Sequence, residues 1–214
     1  MSPNPPMSSL YPGPRETFRQ IQIILFLIFF GINTFLFVFS VDVRPYPDGP
    51  LLNSTYHGAA DGQRYWGVAI NIAEKGSFTI PSLWDTRPES PLTRSGPIPA
   101  IVFSIPIKLF GFHNAPVFIV ALQCLLLYVI SLMSRTLAVP FGVNKNLLQG
   151  LILFNPNLLG LAHFAQSDLL FAFIFTAILV LFSKLITQPG NRQVWLFYLI
   201  GGLAGLLCLT RNIG

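Results

Sequence analysis

The residues best suited to chemistry in this chain are few, and they fall between apolar runs. D-G-Q-R-Y-W, Asp61 to Trp66, packs an acid, a base and two aromatics into one short stretch. P-L-T-R-S-G-P-I-P, Pro91 to Pro99, sets Arg94 directly before a rigid Pro/Gly entry into an apolar segment. H-F-A-Q-S-D, His163 to Asp168, puts an acid at the mouth of another apolar run. A carboxylate can take a proton from a hydroxyl, and an arginine at headgroup depth can hold a phosphate through two parallel hydrogen bonds. Two acids on one side of a membrane could bind a divalent ion or share acid–base work. Each residue also has a plainer role. Asp61 suits the N-cap of the segment that follows, and on local pattern alone that reading wins. Arg64 and Trp66 read as membrane-surface contacts, Arg94 as a snorkelling cation, and Ser167 or Asp168 as a cap that opposes its helix dipole. His163 reads as a polar mouth residue rather than a metal ligand. CxxC and HExxH are absent, and Cys124 and Cys208 lie inside apolar runs, so the polar segments have no disulfide framework.

The elements that must hold these residues are membrane helices. The chain has 214 residues, of which 52% are hydrophobic and 10% charged. A soluble domain carries about 25% charged residues. Long uncharged runs decide the class: an all-α integral membrane protein. The net charge of +5 comes from basic residues flanking apolar spans, with no K/R-rich run, so nucleic acid is not an expected partner. Residues 1–19, rich in Pro and Ser, are read as a disordered cytoplasmic N-terminus. Ile21–Val41 follows Arg15 and Arg19 and is read as an uncleaved anchor. Further spans are expected at Ala115–Met133, Leu147–Ala165, Leu169–Ile186 and Val194–Thr210, about five in all. Asn155-Pro156-Asn157 predicts a kink within the third.

Pro97–Gly111 is apolar but short, with three prolines and Lys108, which fits an interfacial or re-entrant piece better than a span. With it excluded and the N-terminus inside, Arg135, Lys145, Lys184 and Arg192 fall on the inner side with Arg15 and Arg19, as the positive-inside rule requires. Residues 42–114 then form one long outer loop holding Asp61, Arg64, Asp85, Arg87, Glu89 and Arg94. Within it, Asp61–Lys75 reads as an amphipathic helix along the membrane surface. Tyr65, Ala69, Ile72 and Ala73 lie at helical spacing and Gly76 at C′. Asn53-Ser54-Thr55 is a glycosylation sequon by chance. No internal repeat is visible, and the chain stops at Arg211-Asn212-Ile213-Gly214 directly after a span, as expected of the N-terminal part of a larger polytopic protein.

In order and spacing, these stretches resemble the family-39-like membrane glycosyltransferases of the C-type fold. That group includes protein mannosyltransferases and bacterial sugar transferases that use polyprenyl-phosphate sugars. D-G-Q-R-Y-W-G-V-A-I-N-I-A-E-K-G resembles the family's D-x-x-x-Y-x-x-x-A-x-x-x-x-x-x-G segment. T-R-S-G-P-I-P-A-I-V-F-S-I-P-I-K-L-F-G resembles its R-x-P-x-Y-P…L-F-G stretch, with Gly96 at the first proline position and Ile98 where an aromatic is common. Q-S-D-L-L-F and G-L-A-G-L-L-C-L-T-R extend the resemblance over roughly residues 18 to 212. It implies that Asp61 is the catalytic base toward an acceptor hydroxyl, with Tyr65 beside it. Arg94, with Arg64 near, would contact lipid phosphate, and Asp168 is the second-loop acid, which in some relatives assists a divalent metal. The implied donor is a polyprenyl-phosphate sugar and the acceptor a glycan, lipid or protein, by an inverting reaction facing outward from a bacterial inner membrane. A divalent ion, held by Asp61 and Asp168, is the one candidate cofactor. A transporter or flippase without catalysis, and a catalytically silent scaffold of the same fold, are the other readings. Asn155-Pro156-Asn157 favours the transporter.

Overall fold

The computed structural model describes residues 14–40, 60–80, 90–91, 96–112, 114–187 and 193–211, of which 14–16, 38–40, 60, 61, 63, 80, 90, 91 and 193 are described only through their backbone. The described chain is helical. In order the helices are α1 (Pro14–Ser40), α2 (Ala60–Lys75), α3 (Pro97–Phe110), α4 (Ala115–Ala138), α5 (Lys145–Leu153), α6 (Pro156–Ala162), α7 (Asp168–Thr187) and α8 (Gln193–Thr210). One short antiparallel ladder, β1 (Thr79–Ile80) with β2 (Ser90–Pro91), lies between α2 and α3. Three helical stretches are long and apolar enough to cross a membrane: Thr17–Phe37, Ala115–Phe141 and Asp168–Thr187. Pro97–Phe110 and Val194–Thr210 are shorter apolar helices. This is compatible with an integral membrane protein.

The segment expected as a third span, Leu147–Ala165, is divided more deeply than a kink. It consists of α5 and α6, neither long enough to cross alone. The cause is local. Pro156 offers no N–H and pushes the preceding residue out of helical geometry, and Asn155 is extended at φ −66°, ψ 120°. Its side-chain oxygen then accepts from the N–H of Asn157 at 3.0 Å and of Leu158 at 3.2 Å, starting a new helix. Asn144 caps α5 in the same way, through Asn146 and Leu147 at 3.0 and 3.2 Å. The pattern N-x-N-L-L thus occurs twice, a short local repeat in place of the none expected.

Helix α2 ends where its sequence predicts. Gly76 takes φ +68° and its N–H reaches the Ile72 carbonyl at 3.1 Å. It begins earlier than expected, at Ala60, so Asp61 stands in the first turn rather than at the cap. Its environment also differs from the expected surface helix. Tyr65 and Ala69 are buried, but so are Trp66 and Val68 on the neighbouring face, and Trp66 is fully enclosed. The reading of Trp66 as a membrane-surface contact is therefore corrected. The reason is α3, which packs along α2 and brings Phe103 and Ile107 into the same cluster. Burying aromatics of this size stabilises by roughly 1.5–3 kcal/mol each relative to water.

Helix α3 begins and ends at the same end of the bundle. Gly96, just before it, is pressed against the backbone of Leu209 and Thr210 at the end of α8. At the other end Phe110 stacks on Phe118, in the first turn of α4, with ring centres 3.6 Å apart. The core beneath is continuous. Phe29 of α1, Leu127 of α4, Leu153 of α5 and Leu169 of α7 pack together, and Ile174 and Ile178 of α7 meet Ile200 of α8. Four cations lie at the opposite end. Arg135 is in the last turn of α4, Lys145 starts α5, Lys184 is in the last turn of α7, and Arg19 is in the second turn of α1.

Candidate functional site

Four elements meet where α3 lies. Tyr65, one turn after Asp61, shares a buried cluster with Ala115 and Ile119 at the start of α4 and with Ala165 in the α6–α7 turn. Three residues after Ala165, Asp168 opens α7, with the Ser167 carbonyl accepting from Phe171 N–H at 2.8 Å as the helix's first bond. A carboxylate in this first turn is favoured by the helix dipole. Asp168 accepts a hydrogen bond from Nη1 of Arg211, just after α8, at 2.6 Å. The pair is half open to solvent. Only glycine allows α3 to enter here, because a Cβ at position 96 would stand 2.6 Å from the Thr210 carbonyl carbon.

The sequence-predicted residues are thus only partly assembled. The helix bearing Asp61, Arg64 and Tyr65 and the acid Asp168 come to one end. Tyr65 is buried there, and Arg64 is half-buried on the same helix. The carboxyl of Asp61 and all of Arg94 lie outside the described residues. Among the described residues no three His, Cys, Asp or Glu side chains come close enough to hold a metal. Arg211, which the resemblance placed only at the end of a loose motif, brings a positive charge to Asp168.

A second polar group lies deeper and escaped the sequence reading. Asn33 sits within the apolar run of α1 and is buried. Its Nδ2 donates to the Phe29 carbonyl at 2.8 Å, which fixes Oδ1 as the acceptor. Oδ1 receives the Cys124 thiol at 3.2 Å and His163 Nε2 at 3.1 Å. The His163 proton is therefore on Nε2, and Nδ1 is a bare lone pair, buried and without a partner among the described residues. Next to Cys124, Gln123 donates to the carbonyls of Phe164 and Gln166 at 3.4 and 2.9 Å, and its own buried Oε1 has no partner among the described residues. His163 lies in the turn after α6, outside the helices, and burial holds its imidazole below the ordinary pKa of 6.5. The one signal in sequence was Asn33 itself, a polar residue among Phe, Leu and Ile.

Between α1 and α4 runs a groove of about 370 Å³. Phe26, Phe29, Phe30, Phe37 and Tyr128 wall it, and Asn33, Thr34 and Cys124 give it a polar floor. Its shape and lining suit a hydrocarbon chain with little polar demand. No protein-family profile, curated protein or solved structure matches the chain.

Proposed function

We propose that the protein is a membrane glycosyltransferase that moves a sugar from a polyprenyl-phosphate donor to a hydroxyl on a glycan, lipid or protein. The observation that carries this reading is the convergence, at one end of the bundle, of the helix bearing Asp61 with Asp168 and Arg211. In the reaction the acceptor oxygen attacks the anomeric carbon while the bond from that carbon to the phosphate oxygen breaks. Asp61 takes the acceptor proton, and the polyprenyl phosphate leaves with the bonding electron pair. Attack opposite the leaving group inverts the sugar, with no sugar–enzyme bond. Arg64 and Arg94 would meet the departing phosphate, where fixed positive charge counts most. Asp168 would orient Arg211 toward the same space. The α1–α4 groove gives the isoprenoid tail an apolar bed. In this reading five crossings are made by α1, α4, the broken α5–α6 pair, α7 and α8, and the reacting end faces outward from a bacterial inner membrane.

The test is sugar transfer by the full-length protein in membranes, using a radiolabelled polyprenyl-phosphate sugar. Asp61→Asn should lower transfer by about 10²–10⁴, the usual worth of a general base. Transfer by Asp61→Asn equal to the parent would remove Asp61 from this role. A transporter is favoured instead by the buried Asn33–His163 pair and by the break between α5 and α6, since transporters bind at such interrupted helices. Uptake into vesicles without any labelled product would decide for it.

A further inference from the structure

The basic end of the bundle holds a site that sugar transfer does not use. Arg135 is pinned there by neutral partners. Its Nη1 donates to Asn146 Oδ1 at 2.6 Å and to Gln149 Oε1 at 2.7 Å. Its guanidinium carbon lies 4.6 Å from the centre of the Phe18 ring. Gln149 is itself held by a reciprocal amide pair with Gln22, at 3.0 and 2.8 Å. Three helices, α1, α4 and α5, thus fix the plane of one guanidinium. The positive charge stays uncompensated, because no carboxylate among the described residues pairs with it.

Both described hydrogen bonds leave from one nitrogen. Nε–H and Nη2–H, the adjacent donors on the other edge of the fork, carry none among the described residues. That edge is the one that takes two oxygens of a phosphate or carboxylate at once. Two of the residues that fasten Arg135 have a cation next to them in the chain. Arg19 follows Phe18, Lys145 precedes Asn146, and both are exposed. The rim is apolar and open: Phe141 is 79% exposed and Leu147 59%.

The geometry points to a binding site for the phosphate of an anionic phospholipid, formed by Arg135 with Arg19 and Lys145. The fork takes the phosphate, the two flanking cations add attraction, and the acyl chains cover the apolar rim. A free phosphate would satisfy the fork but leave Phe141 and Leu147 bare, so the lipid is the better fit. Cations presented between helices at a membrane boundary are a general means of holding such headgroups.

The test is native mass spectrometry of the full chain released from micelles holding equal phosphatidylglycerol and phosphatidylcholine. The parent should retain phosphatidylglycerol preferentially. Arg19→Gln with Lys145→Gln, which leaves the Arg135 clasp intact, should cut the preference about fivefold per cation removed. Arg135→Lys, which keeps the charge but loses the fork, should cut it as well. Equal retention of the two lipids by the parent would overturn the proposal. So would an unchanged preference in Arg135→Lys, which would reduce the site to diffuse surface charge. Displacement of the lipid by millimolar inorganic phosphate alone would overturn the lipid as the occupant.

Discussion

Asn33 is the hub at which α1, α4 and the α6–α7 turn are joined, and its removal should cost more than removal of either partner. Asn33→Leu leaves His163 Nε2–H buried with no acceptor among the described residues, where Nδ1 already lacks a donor. A buried group stripped of its partner costs about 1–3 kcal/mol. His163→Leu is milder, because Asn33 Oδ1 keeps the Cys124 thiol and the unpartnered Nδ1 disappears with the ring. Interhelical hydrogen bonds in membranes average only about 0.6 kcal/mol where the unfolded state finds other partners. Here Asn33 and His163 are each 6% exposed, so substitute partners are few and the upper half of the range applies. We expect Asn33→Leu to destabilise by about 2 kcal/mol, His163→Leu by about 1 kcal/mol, and the double variant by less than the two together. The assay is reversible unfolding in bicelles by SDS, followed by circular dichroism. Equal losses in the two single variants, with additivity within about 0.3 kcal/mol in the double, would refute the shared bond.

The same histidine sets a pH dependence. Its folded pKa lies below 6.5, so the stability tied to its neutral form is present above that value and is lost as the pH falls through the depressed folded pKa; His163→Leu should flatten this acid limb in the same unfolding assay. Gly96→Ala drives a Cβ into the Leu209 carbonyl and should cost about 1–3 kcal/mol, whereas Gly31→Ala meets nothing within 4 Å and should leave the unfolding midpoint nearly unchanged. Asn155→Ala removes the cap of α6 and should cost about 1 kcal/mol, most of it recovered in Asn155→Asp. Asp168→Asn should change stability by less than about 1 kcal/mol, because the Arg211 pair is half open to solvent; a larger loss would mean the pair is shielded in the native membrane.

What the sequence disclosed follows from the range of each interaction. The apolar runs of α1, α4 and α7 are read from uninterrupted composition. Gly76 closes α2 through its own backbone, and Asn155-Pro156 breaks a helix within a few residues. These are local effects. The Asn33–His163 bond joins positions 130 apart, and nothing near either residue announces the other. The second buried face of α2 was hidden for a related reason. Periodicity shows one face when a helix packs on one neighbour, and α2 is covered by α3 as well as by the bundle, so Trp66 and Val68 fall outside the Tyr65–Ala69 stripe. Of the candidate site, the helix carrying Asp61 and the acid Asp168 were legible. Arg211 as the partner of Asp168 was not, since it depends on α7 and α8 packing antiparallel.

The position of α3 decides more than its own packing. Had Pro97–Phe110 alone crossed the bundle between α1 and α4, α4 would run in the opposite direction and its last turn would stand away from the start of α1. Instead Arg135 touches Phe18, near the start of α1, and Gln22 pairs with Gln149 of α5. These contacts require α1 and α4 to be antiparallel, while Gly96 against Thr210 and Phe110 on Phe118 set the two ends of α3 beside the end of α8 and the start of α4. It follows, whatever the number of later crossings, that Arg19, Arg135 and Lys145 share one end of the bundle. The helix bearing Asp61, the Asp168–Arg211 pair and the chain entering at Gly96 share the other. Three prolines and a lysine first suggested that α3 is not a span, and an antiparallel α1 and α4, with Arg135 over Phe18, are compatible with that expectation.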